Sequence, residues 1–405
     1  MNVLMISPAY PPEMPHYTRG LARVGARVIG LGDQPAAALH PVARGALADY
    51  IQVPNLWDED AVVKTVRSRL GPWQLDRVEC LWEIGMLLAA RLREELGVPG
   101  MRRDQTQLFR DKERMKLALD AAGIRTPRHA RATTPDEIRA AAARIGYPLI
   151  VKPLSGAGSA DTHRVDAAAD LERTIAAVAH VRELSVEEFI EGEEYTFDTV
   201  CADGEILFFN LSWYRPRPLI ARTVEWISPQ TMSLRDVEAG VLAPGRDMGR
   251  AVIRALGFQS GFTHMEWHRT ASGEAVFGEI ACRPPGAHTV DTMNYCNDAD
   301  LFTGWADAVC NGRIGQTIGR LYNCAIIFKR AEGQGRIRRI EGLERLRARW
   351  GDAIVHVDLL PVGAPRRNWK MTLLSDGHVF IRHPDLKTAC AIADDVGTTL
   401  RLHAG

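Results

Sequence analysis

The sequence predicts an α/β protein that opens with a parallel sheet and ends in α+β structure. In the first hundred residues, apolar runs of strand length alternate with helical spacing: the strands are NVLMIS, ARVIGLG and VECLWE, and the helices are 16–24, 58–70 and 84–96. Such alternation is typical of parallel strands covered by helices. From about residue 321, strands mix with helices at 341–350 and 385–396, which indicates a separate α+β arrangement.

The middle of the chain reads as helices followed by longer strands. Residues 111–122 are a predicted helix that ends at Gly123. Residues 135–145 are a second predicted helix, for which Thr134 is a good N-cap and Pro135 a good first residue. YPLIVKP is a predicted strand carrying Lys152. The next strands are SVEEFIEGEEYTFDTV and EILFFNLSW, and a helix is predicted around 244–256.

Composition excludes several function classes. Lys+Arg and Asp+Glu number 50 each in 405 residues, so no net field favours nucleic acid or a membrane surface. The seven cysteines form no C-x-x-C, so we expect reduced thiols rather than zinc or disulfides. Residues 3–6 are too short an apolar run for a signal peptide, and no run approaches a membrane span. We therefore expect a cytoplasmic protein.

Two glutamates are predicted to face each other across a hairpin. The strands 262–268 and 275–281 fold about Ser272-Gly273, and this register makes three pairs: Glu266 with Glu279, His264 with Ala281 and His268 with Phe277. Opposed like charges destabilise a sheet, whereas a divalent cation between them would turn repulsion into binding. Oxygen ligands favour Mg²⁺ or Mn²⁺. A hydrated, exposed hairpin is the alternative.

Residues around this hairpin suggest a phosphate-handling site. Arg283 lies just past the second strand, where a guanidinium can hold a phosphate or carboxylate. Lys152 leads into the small-residue loop 155–159, whose backbone N–H groups can close over phosphates. The strand with Glu194 is either a charged edge strand or one whose backbone meets adenine, with Glu194 on ribose. Gly30-Leu31-Gly32 lacks the third glycine and the helix of a nicotinamide site.

In this order, the motifs resemble the ATP-grasp superfamily, and within it the carboxylate–amine ligase branch of L-amino acid ligases. The motifs are Lys112 in DKERMK, Lys152 in VKP, the Gly/Ser loop, EEFIEGEEYTFD, and the two hairpin carboxylates with EIACRPPG. The resemblance covers about residues 1–320, and the remainder resembles the C-terminal lobe of this branch. It implies an ATP-grasp fold with these domains: a Rossmann-like domain at 1–105, a small lobe at 106–185, a large lobe with the metal site at 186–320, and a C-terminal α+β lobe at 321–405.

The resemblance also implies roles for individual residues. By position, Lys112 and Lys152 would contact the α/β-phosphates of ATP, and Ser155, Gly156, Gly158 and Ser159 would close over the β/γ-phosphates. Glu187, Glu188, Phe189 and Ile190 would form the adenine strand, with Glu194 on ribose. Glu266 and Glu279 would hold Mg²⁺. Arg283 and Lys152 are the implied catalytic residues, with Arg283 steadying the transferred phosphoryl group. Ala281 replaces an Asn that often binds a second Mg²⁺, so the number of ions is open.

The implied reaction is ATP-dependent ligation of a carboxylate to an amine through an acyl phosphate, releasing ADP and phosphate. The expected partners are small molecules, with an amino acid or small peptide-like acid as acid substrate, and a homodimer is possible. Candidate substrate residues are Glu83, which would lie at a strand's carboxyl end, with Arg215, Arg217, His264, Arg283 and His288. The alternatives are a bicarbonate-using carboxylase type and a catalytically lapsed nucleotide-binding regulator.

Overall fold

The computed structural model of the chain describes residues 1–71, 74–154, 161–372 and 374–405. The predicted phosphate loop, with Ser155, Gly156, Gly158 and Ser159, lies outside the described residues. Four sheets organise the described part of the chain, and their strands and helices are numbered below in chain order. No helix within these ranges is long and apolar enough to cross a membrane.

The N-terminal part is a parallel sheet with strand order 3-2-1-4, as predicted. Its elements are β1 (Asn2–Ile6), α1 (Met14–Arg23), β2 (Arg27–Gly32), α2 (Pro41–Ala46), β3 (Asp49–Gln52), α3 (Glu59–Leu70), β4 (Arg77–Glu79) and α4 (Met86–Leu96). Strand β1 is buried on both faces, which explains its unbroken apolar run. The chain proceeds to one side of β1 and then returns to its other side at β4. The carboxyl ends of β1 and β4 therefore form the switch point where open α/β sheets bind ligands.

A second sheet has the antiparallel order 5-8-6-7. The elements of this part are α5 (Arg103–Gln107), α6 (Lys112–Ala121), β5 (His129–Ala132), α7 (Pro135–Ile145), β6 (Leu149–Pro153), β7 (His163–Val165), α8 (Ala168–Ala177) and β8 (Leu184–Glu188). Helix α6 begins at Lys112 because the Asp111 side chain accepts the backbone N–H groups of Glu113 and Arg114. Thr134 and Glu137 form a capping box that begins α7.

The largest sheet has eight antiparallel strands in the order 13-12-9-10-11-14-18-17, and strands 15, 19 and 16 form a small sheet beside it. The elements are β9 (Glu193–Ala202), β10 (Glu205–Arg215), α9 (Pro218–Thr223), β11 (Gln230–Ser233), α10 (Ala243–Ala255), β12 (Gly261–Arg269), β13 (Ala275–Ala281), α11 (Thr289–Asn297), α12 (Leu301–Asn311), β14 (Asn323–Phe328), β15 (Glu332–Gly333), β16 (Ile337–Glu341), α13 (Leu343–Trp350), β17 (Ile354–Leu359), β18 (Gly377–His383), α14 (Leu386–Thr399) and β19 (Arg401–Ala404). The strands β14, β17 and β18 extend this sheet beyond residue 320. The domain boundaries given above stay predictions.

Close packing of α10 on β12 fixes the hairpin that carries the two glutamates. A Cβ atom added at Gly245 would lie 2.1 Å from Cζ2 of Trp267, so only glycine lets the helix approach this indole. Trp267 is fully buried, and its Nε1 donates a hydrogen bond of 3.3 Å to the carbonyl of Thr196. Neighbouring residues of a strand point to opposite faces. Burying Trp267 therefore directs Glu266 to the other face of the sheet.

Candidate active site

The hairpin brings the two predicted metal carboxylates directly opposite each other. Glu266 pairs with Glu279 and His264 pairs with Ala281, in the predicted register. The predicted pairing of His268 with Phe277 is wrong, because a bulge after Glu266 sets His268 opposite Val276. Gly278 is the extra residue of this bulge. A Cβ there would lie 2.8 Å from the Glu266 carbonyl oxygen, so the bulge requires glycine.

Glu279 is held as a carboxylate by lysines from helix α6 and strand β6. Its Oε2 lies 3.3 Å from Nζ of Lys112, the first residue of α6. Burial alone would raise the pKa of Glu279, but Lys112, Lys152 and Lys116 together lower it to about 2. Glu266, in contrast, accepts a hydrogen bond of 3.1 Å from the hydroxyl of Tyr214. The two carboxylates therefore have different neighbours: lysines lie beside Glu279, whereas the Tyr214 hydroxyl and the His264 imidazole lie beside Glu266.

Sequence reasoning missed Lys116, the residue that anchors this lysine cluster. Lys116 is completely buried, and its Nζ donates to Oε1 of Glu187 at 2.6 Å. The other oxygen of Glu187 lies 3.0 Å from Nζ of Lys152, and Ser185 donates to Oε1 at 2.8 Å. Burial acts to raise the pKa of Glu187, but the two lysines lower it well below its usual range. The available signal was the spacing of Lys116, one helical turn after Lys112.

The predicted ATP-binding residues that the structure describes line one cavity of about 120 Å³ between the second sheet and the largest sheet. The lining residues that were predicted are Lys112, Lys152, Glu187, Glu188, Phe189, Ile190, Glu194, Glu266 and Glu279. Two backbone donors of the predicted adenine strand are already used, since the N–H groups of Glu188 and Phe189 donate to the carbonyls of Arg128 and Pro148. These two N–H groups are therefore not available to bind the edge of an adenine base.

Arg217, considered as a substrate residue from sequence, lies in this first cavity instead. Its Nε is 3.3 Å from Oε2 of Glu194, and its Nη1 donates to the carbonyl of Ile190 at 2.9 Å. Burial and the nearby Glu266 raise the pKa of Glu194 to about 8, against the opposing effect of Arg217. Glu194 and Arg217 thus form a buried polar pair beside the predicted adenine strand.

A second cavity of about 190 Å³ opens on the other side of the two glutamates. Glu266 and Glu279 line both cavities. The second cavity also contains the predicted residues Arg283 and His264. Arg222 and Arg330, which sequence reasoning did not single out, lie on its wall with Thr231 and Phe328. The paired carboxylates therefore stand at the junction of a lysine-rich space and an arginine-lined one.

Glu83 holds Arg283 in this junction and is not among the residues that line the second cavity. Its Oε2 accepts a hydrogen bond of 2.5 Å from Nε of Arg283, and its Oε1 pairs with Arg110. Glu83 follows β4, so the parallel sheet contributes one carboxylate to the site of the largest sheet. Burial acts to lower the pKa of Arg283, but Glu83 and the hairpin glutamates raise it.

Two other predicted substrate residues also lie outside the described lining of the second cavity. Arg215 donates to Gln230 at 2.8 Å and to Asp394 at 3.1 Å, at the end of β10. His288 precedes α11 with a φ of 59°, and its Nδ1 lies 2.8 Å from Oδ2 of Asp291. Both side chains are occupied by protein partners.

His264 is fixed by a buried carboxylate. Its Nδ1 lies 2.6 Å from Oδ1 of Asp198, a residue with no exposed surface, and its Nε2 lies 3.6 Å from Oε1 of Glu266. Burial acts to lower the pKa of His264, but Asp198 and Glu266 raise it to about 9. The imidazole therefore stands beside the predicted metal carboxylates in one fixed orientation.

Comparison with known proteins identifies the fold that carries these two cavities. The sequence profile described as an ATP-grasp domain matches residues 109–215, which include Lys112, Lys152 and Glu194. The crystal structure of an L-amino acid ligase from Bacillus licheniformis superposes with a TM-score of 0.78, covering 100% of this chain and 98% of that one at 19% identity. This chain has the ATP-grasp fold. The fold expected from the motifs is confirmed.

Two relatives resemble this chain in sequence. It is 30% identical over 250 residues to the L-arginine-specific L-amino acid ligase of Bacillus subtilis, covering 59% of each chain. It is 25% identical over 281 residues to an alanine–anticapsin ligase of Bacillus subtilis, covering 63% of this chain and 58% of the relative. The aligned region thus spans less than two thirds of either relative.

The donor set between the two cavities suits a hard divalent cation. Within the part of the chain that the structure describes, no group of three or more His, Cys, Asp or Glu side chains could hold a metal. Glu266 and Glu279 instead offer two carboxylates beside the nucleotide cavity. Mg²⁺ usually binds through one or two carboxylates together with water and substrate phosphates. Ala281 lines the second cavity and contributes no ligand atom from its side chain.

Proposed function

We propose that this ATP-grasp chain is a carboxylate–amine ligase that forms an amide or peptide bond through an acyl phosphate and releases ADP and phosphate. One observation carries the proposal: Glu266 and Glu279 line both cavities, and thus stand between a lysine-rich nucleotide space and an arginine-lined substrate space. A phosphoryl group that moves from ATP to an acid must cross such a junction. Both relatives named above are amino acid ligases by name, which supports the same reaction class.

In this proposal the nucleotide cavity binds ATP and orients its phosphates. Lys112 and Lys152 supply cationic donors, and the pKa of Lys152 is raised, by Glu187 above all, against the opposing effect of burial. Ser155, Gly156, Gly158 and Ser159 would close over the terminal phosphates. Glu187 to Ile190 would border the adenine, and Glu194 would meet the ribose. Phosphoryl transfer depends mainly on such positioning and charge.

Glu266 and Glu279 would hold Mg²⁺ or Mn²⁺, which would neutralise phosphate charge when bound. The acid's carboxylate oxygen attacks the γ-phosphorus, and the bond to ADP breaks. Arg283 stabilises the charge that develops on the transferred group, since its guanidinium lies in the second cavity and is held by Glu83. The amine nitrogen then attacks the acyl carbon, loses a proton, and phosphate leaves.

We propose an amino acid as one of the two substrates. The second cavity has Arg222 and Arg330 on one wall, where a free carboxylate could bind. Burial and the nearby Arg222 are the main causes that lower the pKa of Arg330 to about 10. An anionic substrate would relieve this repulsion. Arg330 also donates to the carbonyls of Ala221 and Val224, so it supports the end of α9 as well.

We place the enzyme in the cytoplasm, with small-molecule substrates and the possibility of a homodimer. The seven cysteines are all free thiols, and burial is the main cause that raises the pKa of each. Buried thiols of this kind suit a reducing compartment.

The test is phosphate release from ATP and Mg²⁺ across an array of amino acids, small acids including bicarbonate, and amines, alone and in pairs. We expect release that requires one acid and one amine together. Glu279→Gln should lower this rate about 100-fold or more through loss of a charged ligand. The matched control is Glu274→Gln, an exposed carboxylate on the same hairpin, which should leave the rate unchanged. Release with bicarbonate alone would instead favour the carboxylase type, and normal turnover of Glu279→Gln would exclude the metal assignment.

A further inference from the structure

We propose that a third cavity, at the carboxyl ends of β1 and β2, binds a compact organic cation such as an alkylammonium or guanidinium group. The cavity measures about 220 Å³. Its lining residues are Ser7, Pro8, Ala9, Tyr10, Gly32, Asp33, Gln34, Leu39, Tyr50 and Trp82. None of these residues lines the nucleotide or the substrate cavity. The site therefore stands apart from the proposed ligase chemistry and does not depend on it.

The position of the cavity is one where parallel sheets bind ligands. The loop after β1 supplies Ser7 to Tyr10, the end of β2 supplies Gly32 to Gln34, and Trp82 follows β4. These loops surround the switch point of the sheet. Ser7 has a φ of 53°, a left-handed backbone that serine seldom adopts and that is common at functional sites. Its hydroxyl donates to the carbonyl of Tyr10 at 2.7 Å and so holds this loop against the cavity.

Aromatic rings form the walls. The rings of Tyr10 and Trp82 meet edge to face with centroids 5.2 Å apart, and Trp57 supports Trp82 from outside the cavity at 5.3 Å. Tyr50 reaches the cavity because Gly32 has no side chain: a Cβ at position 32 would lie 2.5 Å from the tyrosine hydroxyl oxygen. The faces of Trp and Tyr rings attract cations.

The charge of the lining selects a cation over an anion. Among the described residues that line the cavity, Asp33 is the only charged one, and none is a lysine, arginine or histidine. Burial, with a further contribution from Asp33, raises the pKa of Tyr50 to about 12, so the tyrosine stays neutral. A nucleotide phosphate would meet this carboxylate and no cationic side chain. The parallel sheet therefore offers a cation site where dinucleotide-binding folds place phosphate.

The cation could come from two sources. Trp82 directly precedes Glu83, which holds Arg283 at 2.5 Å, so the wall of the third cavity is one peptide bond from the proposed active site. The cationic end of a substrate is one source, and a separate effector is the other. In either case the group that contacts Tyr10, Asp33 and Trp82 is an organic cation.

The experiment titrates tetramethylammonium into the full-length protein and follows it by ligand-observed proton NMR, with tert-butanol as neutral isostere. Tetramethylammonium has no carboxylate and no nucleophilic nitrogen. We expect the cation to bind and the alcohol to bind much more weakly. Asp33→Asn and Tyr10→Leu, both at exposed positions, should each weaken cation binding about threefold to tenfold. The matched control Asp60→Asn, an exposed carboxylate on α3, should leave it unchanged.

Absence of cation binding, equal binding of alcohol and cation, or full affinity in both Asp33→Asn and Tyr10→Leu would overturn the proposal. A second arm identifies the source. Competition of tetramethylammonium with one substrate in the phosphate-release assay would assign the cavity to a cationic part of that substrate. Binding without competition would assign it to a separate effector. The NMR arm needs no turnover, so its failure is distinguishable from failure of the ligase proposal.

Discussion

Arg283 illustrates how one residue is prepared for catalysis by a residue far away in sequence. Glu83, 200 positions earlier, accepts a hydrogen bond from Nε of Arg283, and Nη1 donates to the carbonyl of Pro284 at 2.8 Å. With these donors anchored, the rest of the planar guanidinium is fixed toward the second cavity. A fixed donor costs no reorganisation when charge develops on a transferred group.

We expect Arg283→Ala to reduce kcat about 100-fold to 1,000-fold, because a fixed donor to the transition state is lost. The Michaelis constant for ATP should change little, since Arg283 does not line the nucleotide cavity. Steady-state kinetics separates the two quantities. Glu83→Gln should give a smaller loss of kcat, and Arg313→Ala, at a side chain 75% exposed, is the control. A raised Michaelis constant for ATP at unchanged kcat would remove Arg283 from this role.

At the scale of elements, helix α6 and strand β8 are joined by a buried ion pair. Lys116 on α6 and Glu187 on β8 are each less than 5% exposed, and Lys152 on β6 shares the same carboxylate. Breaking a buried pair by removing one partner leaves an uncompensated charge. The pair therefore couples the stability of this lobe to the position of a lysine that lines the nucleotide cavity.

We expect Lys116→Met to lower the free energy of unfolding by about 3 kcal/mol. The double variant Lys116→Met/Glu187→Gln should recover part of this loss, since it removes the carboxylate left behind. The pKa of Glu187 lies below its unfolded value of about 4.5. Its contribution is therefore present above about pH 4.5 and is lost as the pH falls further. Urea unfolding from pH 3 to pH 7 measures both effects. Equal stability of Lys116→Met and the wild type would contradict this account.

The contact of α10 with β12 makes a second prediction at this scale. Gly245→Ala places a methyl group within van der Waals overlap of the Trp267 ring, so helix and sheet must separate. We expect a loss of about 1–3 kcal/mol in urea unfolding. Gly45→Ala on α2 is the matched control, because no atom lies within 4 Å of the added carbon. That control should be neutral or slightly stabilising. An unchanged free energy of unfolding in Gly245→Ala would contradict this prediction, because it would show that helix and sheet can separate without loss of stability.

At the scale of the whole molecule, local pattern predicted the elements well and long-range contacts poorly. Alternation of strand and helix signals predicted the parallel sheet, and the turn at Ser272-Gly273 predicted the register of Glu266 with Glu279. The bulge at Gly278 was not predicted, because it depends on how closely the Glu266 carbonyl approaches. Lys116 was missed because its partner Glu187 lies 71 positions away.

Contacts between distant parts of the chain also decide where the predicted substrate residues lie, and local pattern does not show these contacts. Glu83 was predicted to meet substrate from its place after a strand, and that role stays a prediction. Its actual partners, Arg110 and Arg283, come from other parts of the chain and are set by how the sheets pack. Arg217, the residue before α9, lies in the nucleotide cavity, where it contacts Glu194 and the carbonyl of Ile190. Cavities are properties of the assembled molecule.

The central claim is that an acid's carboxylate attacks ATP across the junction formed by Glu266 and Glu279. The most direct measurement uses the acid and amine found in the array, with ¹⁸O in the carboxylate of the acid, and mass spectrometry of the released phosphate. If an acyl phosphate forms, one ¹⁸O atom passes from the acid to each phosphate. Phosphate free of the label, with amide product formed at the normal rate, would contradict the proposed mechanism.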